Sequence, residues 1–212
     1  MICISTDAIM ELNILIEASI YFLALINPAS KVLLLSSMHP PLSRKVVWSI
    51  SLKATLAAFG ILVLLASFGH VILTDLFRIE VYSLRISGGI ILFLFGLKAV
   101  QQGKFYELDP GKPHPDSLSI VPLGAPLIAG PGTITASIAY ASEHGILPAL
   151  TALLLALVIN MILMMFSNQI GKILEKINAT GPLIRITGLI VSAVAVQMIC
   201  LGLNEWLAQS HH

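Results

Sequence analysis

Two short runs carry the most distinctive backbone chemistry in this sequence: Asn27-Pro28 and Gly130-Pro131-Gly132, each set inside an otherwise apolar stretch. Proline has no N–H and its ring clashes with the preceding turn, so a helix arriving at either run must break there. A helix restarting after the break has unpaired N–H groups and the positive end of its dipole at its mouth. Such an end suits an anionic group, for instance the α-carboxylate of an amino acid. Asn27 is placed to cap the half-helix beginning at Pro28, the position where proline fits a helix best. Gly132 lets a ligand approach the backbone closely, while Ser30, Thr133 and Thr135 offer hydroxyls. The expected substrate-binding set is therefore Asn27, Pro28, Ser30, Gly130, Pro131, Gly132, Thr133 and Thr135. The plainer reading is that the breaks only shape helix crossings.

Other polar residues in apolar surroundings form a second tier. Arg85 and Arg185 fall about a turn and a half inside apolar stretches, where they either serve a site or anchor the helix ends of the other half of the chain. Asn160 and Gln197 lie deep in their stretches and read as hydrogen-bond partners between helices, with Asn160 kept as a secondary site candidate. Glu17 is a weak candidate for proton coupling, with interfacial solvation the plainer reading, and His70 reads as interfacial. Gly60, Gly69, Gly88, Gly89 and Gly96 read as positions of close helix packing. Cys3 and Cys200 have no metal or redox spacing and read as packing residues, so no cofactor and no metal are expected.

The elements that must hold these residues are membrane spans. Of 212 residues, 57% are hydrophobic and 11% charged, whereas a soluble domain is nearer a quarter charged. Mean hydropathy is +0.92. A net charge of +1 without a basic run argues against nucleic-acid binding. Crossing the hydrocarbon core takes about 20 mostly apolar residues. Six stretches qualify, near 9–38, 46–73, 80–102, 117–141, 145–170 and 180–205, of which the first and fourth hold the two breaks. The segment 103–116 is plainly polar, with three prolines and two glycines, and reads as a linker between an N-terminal part, 1–102, and a C-terminal part, 117–209. Residues 210–212 read as a tag remnant, and no removable signal peptide is expected.

The two parts resemble each other. Leu84-Arg85-Ile86-Ser87-Gly88 matches Ile184-Arg185-Ile186-Thr187-Gly188, and the neighbourhood of Pro28 matches that of Pro131. Three spans per repeat force the second copy to insert upside down, so the expectation is an all-α membrane protein of two inverted three-helix repeats with spans one and four interrupted. Lysines and arginines concentrate near alternate loops: Lys31, Arg44, Lys45 and Lys53; Lys98, Lys104 and Lys112; Lys172, Lys176 and Arg185. The positive-inside rule puts those loops in the cytoplasm and both termini outside.

At ALINPASK, RISGGIILF and above all VPLGAPLIAGPGTIT the sequence resembles the MarC family of prokaryotic inner-membrane proteins. The last run follows the family's VPLAxPLxAGPGxI pattern, departing at Gly124, and Ser30 stands where relatives often carry glycine. The resemblance covers essentially the whole chain, and it implies an inner-membrane, multi-pass transporter of small neutral amino acids. The residues alone lead to a secondary transporter, with an exporter among the options, whose partners are a small solute, a coupling ion (H+ or Na+) and the bilayer; oligomeric state is left open. A channel is the alternative, which would need a polar ring built by symmetry. An intramembrane enzyme is a third, without support: the chain lacks G-x-S-x-G, H-E-x-x-H, a P-loop and paired aspartates within spans.

Overall fold

The computed structural model describes residues 6–36, 38, 41–103 and 128–210. Every regular element among them is helical: α1 (Thr6–Ile26), α2 (Pro28–Ser36), α3 (Arg44–Val71) with a π-helical turn at Ile72–Leu76, α4 (Val81–Gln102), α5 (Pro131–His144), α6 (Ile146–Met165), α7 (Ser167–Lys176) and α8 (Thr180–Ser210). The boundaries follow local chemistry. Ser43 caps α3 by accepting from the Val46 N–H at 3.4 Å. Gly103 ends α4 in the left-handed conformation (φ 64), with its N–H donating to the Ala99 carbonyl at 3.0 Å.

Four helices are long and apolar enough to cross a membrane: Arg44–Leu76, Val81–Gln102, Ile146–Met165 and Thr180–Gln209. The pair Leu12–Ile26 and Pro28–Ser36, bent by 40° at Asn27, makes a fifth if it counts as one broken span. The chain is thus a multi-pass helical membrane protein with four to five candidate spans among its described residues. Of the expected fourth span, the latter part is α5; residues 117–127 and most of the linker lie outside the described residues. The fifth expected stretch, 145–170, divides at Phe166. There α6 gives way to α7, whose Asn168, Gln169, Lys172, Glu175 and Lys176 alternate with Ile170, Ile173 and Leu174. Such a polar face cannot continue a span.

The main buried cluster draws Phe22, Leu25 and Ile26 from α1, Leu35 from α2, Ala54, Ala58 and Leu62 from α3, and Leu153 and Leu157 from α6. Large apolar side chains such as Leu94, Phe95, Leu155, Ile159, Leu189 and Ile190 face outward. That surface suits hydrocarbon and would aggregate in water.

The most extensive helix contact joins α4 to α8. Gly89 faces Ala195 and Ile199, Gly96 faces Gly188 and Ser192, and Gly202 faces Tyr82 and Ile86. Contacts that advance along α4 recede along α8, so the two run antiparallel. The seam is built of small residues because helices in lipid gain by close van der Waals approach rather than by hiding apolar surface from water. A methyl carbon added at Gly96 would stand 2.7 Å from the Gly188 carbonyl oxygen.

Three expectations are corrected here. Gly60 faces open space rather than a packed helix. Gln197 is exposed on the outer side of α8 and bonds to no other helix among the described residues, because its register places it with Val196 on the face away from α4. Cys200 is likewise exposed rather than packed. Glu17 and His70 are also exposed.

The seam generates a paired prediction. Gly96→Leu should lower the stability of purified protein by about 1–3 kcal/mol or more, as overpacking does. Gly60→Leu should leave the thermal unfolding midpoint unchanged or slightly raised; equal losses for both would refute the packing assignment.

Candidate functional site

The break between α1 and α2 is a backbone device. Asn27 adopts the left-handed conformation (φ 52), which few residues other than glycine tolerate and asparagine tolerates best. Its N–H donates to the Leu23 carbonyl at 2.9 Å, closing α1, and Pro28 opens α2. Asn27 therefore ends the first helix through its dihedral angles. Among the described residues its side chain makes no capping bond to α2, contrary to the expectation from sequence. The Asn27 carbonyl is satisfied by α2, accepting from the Ser30 hydroxyl at 2.8 Å and the Ser30 N–H at 3.2 Å.

Lys31 completes this arrangement. It is 2% exposed, and its ammonium donates back to the carbonyl of Ile26, one of those set free when α1 stops. From sequence, Lys31 counted only as a basic residue marking a loop. The signal was present: three positions past a helix-breaking pair, and pointing N-terminally as helical side chains do, a long cation reaches the freed carbonyls.

The second break differs in form. Ile128 and Ala129 are buried, Gly130 is extended (φ −79, ψ 171), and Pro131 starts α5. The first bond of the helix runs from the Ile134 N–H to the Gly130 carbonyl at 2.9 Å, so the N–H groups of Gly132 and Thr133 lie ahead of it. Gly132 is buried against α4, where an added methyl carbon would stand 3.0 Å from the Leu92 methyl groups. Thr133 and Thr135 are buried, and Thr135 packs on Gly88. The residues leading into the two breaks, Leu25 and Ile26 on one side and Ile128 and Ala129 on the other, belong to one continuous buried cluster.

A groove of about 290 Å³ between α1–α2 and α8 is lined by Asn27, Pro28, Leu23, Thr187 and Val191. A larger cavity of about 360 Å³ sits between the end of α2, the start of α3 and α7, with Arg44, Asn168, Lys172 and Glu175 at its walls. Neither is lined by Gly130-Pro131-Gly132.

Asn160 is fully buried on α6, yet its amide donates only to the Met164 sulfur at 3.3 Å on the same helix. Its Oδ1, together with Ser51 Oγ and Thr55 Oγ1 of α3, has no partner among the described residues. Trp48 meets Met165 at one end, and Ala66 shares a cluster with Ala149 at the other, so α3 and α6 run antiparallel. Ser51 and Thr55 therefore fall level with Asn160. Buried polar atoms left unpaired call for water or a ligand. Sequence reasoning had no means of singling out Ser51 and Thr55, since serine and threonine in lipid usually bond their own helix.

Arg85 lies elsewhere. It is 7% exposed on α4 and donates to Glu205 near the end of α8 and to Glu143 at the end of α5, the latter at 2.5 Å. Tyr21 and Tyr140 share with it a cavity of about 120 Å³, and Tyr140 stacks on His144 at 4.2 Å. Arg185 is exposed on α8 and is not part of this group.

Against known proteins, the profile described as MarC family integral membrane protein matches residues 12–207. The chain belongs to the MarC family. It is 36% identical over 188 residues to the UPF0056 membrane protein PH0214 of Pyrococcus horikoshii, covering 89% of this chain and 92% of the relative. The UPF0056 membrane protein MJ1677 of Methanocaldococcus jannaschii is 33% identical over 92% of this chain and 98% of its own. The corresponding protein YvbG of Bacillus subtilis is 31% identical, over 92% and 96%. No solved structure matches the chain.

Within this MarC chain, Arg85 joins α4 to two helix ends of the C-terminal part. Arg85→Met should destabilise the protein by about 1–3 kcal/mol, at the lower end because both carboxylates are partly exposed. Adding Glu143→Gln and Glu205→Gln should recover part of the loss in thermal unfolding, since no uncompensated charge then remains. A triple variant as unstable as Arg85→Met alone would show that the ion pairs do not matter.

Proposed function

We propose that this MarC chain is a secondary transporter of a small zwitterionic solute, most simply a neutral amino acid, working by alternating access between two inverted halves. The observation that carries the reading is a pair of helices that each start at a proline, α2 at Pro28 and α5 at Pro131, with the residues leading into both starts in one buried cluster. Irregular backbone at membrane depth is tolerated only where it is buried in protein or lines a cavity, and paired breaks in the two halves of a transporter are where substrate sits. The antiparallel α4–α8 pair is the geometry an in-plane two-fold axis would impose on corresponding third spans. In this reading the first N–H groups of α5, at Gly132 and Thr133, receive the substrate carboxylate. Asn27, Ser30, Thr133 and Thr135 give it polar walls. Both termini lie outside the inner membrane, and the cavity beside Arg44 and Lys172 is the cytoplasmic mouth.

Topology is open to direct measurement. Reporter fusions should place residues 103–116 in the cytoplasm and both termini outside; a cytoplasmic C-terminus would sink the inverted arrangement.

Transport itself is tested in proteoliposomes with labelled glycine, alanine and serine, which should show saturable counterflow. Asn27→Gly keeps the left-handed backbone while removing the amide, so it should lose most transport with stability nearly intact. Asn27→Ala should lose transport and also about 1–2 kcal/mol of stability, the cost of a Cβ in that conformation. Wild-type vesicles without counterflow for any solute of the panel would overturn the reading.

A further inference from the structure

From the cavity between α2, α3 and α7 we infer a binding site for one anionic phospholipid, its phosphodiester held between Arg44 and Lys172 and its acyl chains laid against Trp48, Phe166 and Ile173. Lipid binding is readable without any transport step, so this site stands or falls apart from the transporter reading.

α3 begins at Arg44 and the antiparallel α6 ends at Met165, so both ends lie at one level, where a spanning helix meets the membrane surface. The cavity of about 360 Å³ opens there, within the range of small-molecule sites. Its walls carry two cations, Arg44 and Lys172, against one acid, Glu175. That leaves an excess of one positive charge, matched by the single negative charge of a phosphodiester. Gln169 steadies the guanidinium: with its amide oriented by its hydrogen bonds, the oxygen accepts from Arg44 Nη2 at 2.7 Å. A guanidinium fork matches phosphate oxygens in pairs, and the Lys172 ammonium adds a mobile point charge. Asn168 ties the two sides of the cavity together by donating to the Leu42 carbonyl at 2.9 Å. The headgroup stands at one wall of the cytoplasmic mouth proposed above, bridging α3 of the N-terminal part to α7 of the C-terminal part.

Beside these charges lies apolar surface that a soluble anion leaves bare. Trp48 stands one turn further along α3 than Arg44, exposed, with its indole N–H donating to the Met165 sulfur at 2.6 Å. Along α7 and its flanks, Phe166, Ile170, Ile173 and Ile177 recur at helical spacing, and all but Ile170 are exposed. Charge on one side and an apolar stripe on another is the pattern of a helix lying in the membrane interface, the depth that tryptophan also favours. A molecule that carries phosphate and hydrocarbon together satisfies both surfaces, and basic pockets between membrane helices hold anionic headgroups. Lys45 and Lys176, on the same two helices but outside the cavity, are exposed and add to the positive potential around it.

Native mass spectrometry of the purified full-length protein tests the site, with dioleoyl phosphatidylglycerol, dioleoyl phosphatidylcholine and glycerol 3-phosphate as probes. Wild type should hold one phosphatidylglycerol about 25-fold more tightly than phosphatidylcholine, about fivefold for each of the two basic contacts. Arg44→Gln combined with Lys172→Gln should bring the two lipids within about twofold of each other. Lys45→Gln combined with Lys176→Gln removes the same charge from the same helices outside the cavity, and should keep the preference above about tenfold. Glycerol 3-phosphate in large excess should not displace the lipid, since it leaves the apolar surface uncovered. Equal affinity of wild type for both lipids overturns the inference. So does displacement by glycerol 3-phosphate, which marks a site for a free phosphate, and so does an equal loss in the two double variants, which marks diffuse surface charge. Should the Arg44 and Lys172 double variant fail to fold by size exclusion, Lys172→Gln alone decides: a loss of about fivefold supports the site, and no loss overturns it.

Discussion

Hydrocarbon offers no hydrogen bonds, and that single constraint organises this structure. Every carbonyl or N–H freed inside the membrane must find a partner within the protein. At Asn27 the chain bends between α1 and α2, and α2 immediately repairs the exposed end: Ser30 serves the Asn27 carbonyl and Lys31 the Ile26 carbonyl. The break therefore persists as a defined feature rather than relaxing into a smooth kink. Around it, apolar side chains from α1, α2, α3 and α6 close into one buried cluster.

The same solvent dictates how the helices meet. With lipid as apolar as leucine, α4 and α8 adhere through glycines, serine and alanine that let backbones approach. Charge is used sparingly and at the ends. Arg85 reaches Glu143 and Glu205 where α5 and α8 terminate, so the N-terminal and C-terminal parts are joined by ion pairs there and by bare backbone along the seam.

Much of this was legible in the sequence, for stated reasons. Hydropathy fixes spans because their length is set by the bilayer, and α3, α4, α6 and α8 fall close to the stretches read as spans. Proline fixes breaks because it lacks a donor, and helices restart at Pro28 and Pro131. The motif VPLGAPLIAGPGTIT is specific enough to reach the MarC family. What stayed hidden depends on direction rather than composition. Whether Lys31 points to the interface or into the break, whether Gly60 faces a helix or open space, and which side of α8 carries Gln197 are set by rotation of each helix about its axis. Neighbours remote in sequence decide that rotation. Asn27 was expected to act through its side chain, when its tolerance of a left-handed backbone was the property the fold used.

The bond between Lys31 and Ile26 has an evolutionary corollary. Its acceptor is a main-chain oxygen, which every amino acid at position 26 supplies equally. Drift at that site cannot delete the partner, and no reciprocal substitution would be selected to restore it. Methods that find contacts from correlated changes across relatives would thus be blind to this one, however strongly selection held the lysine.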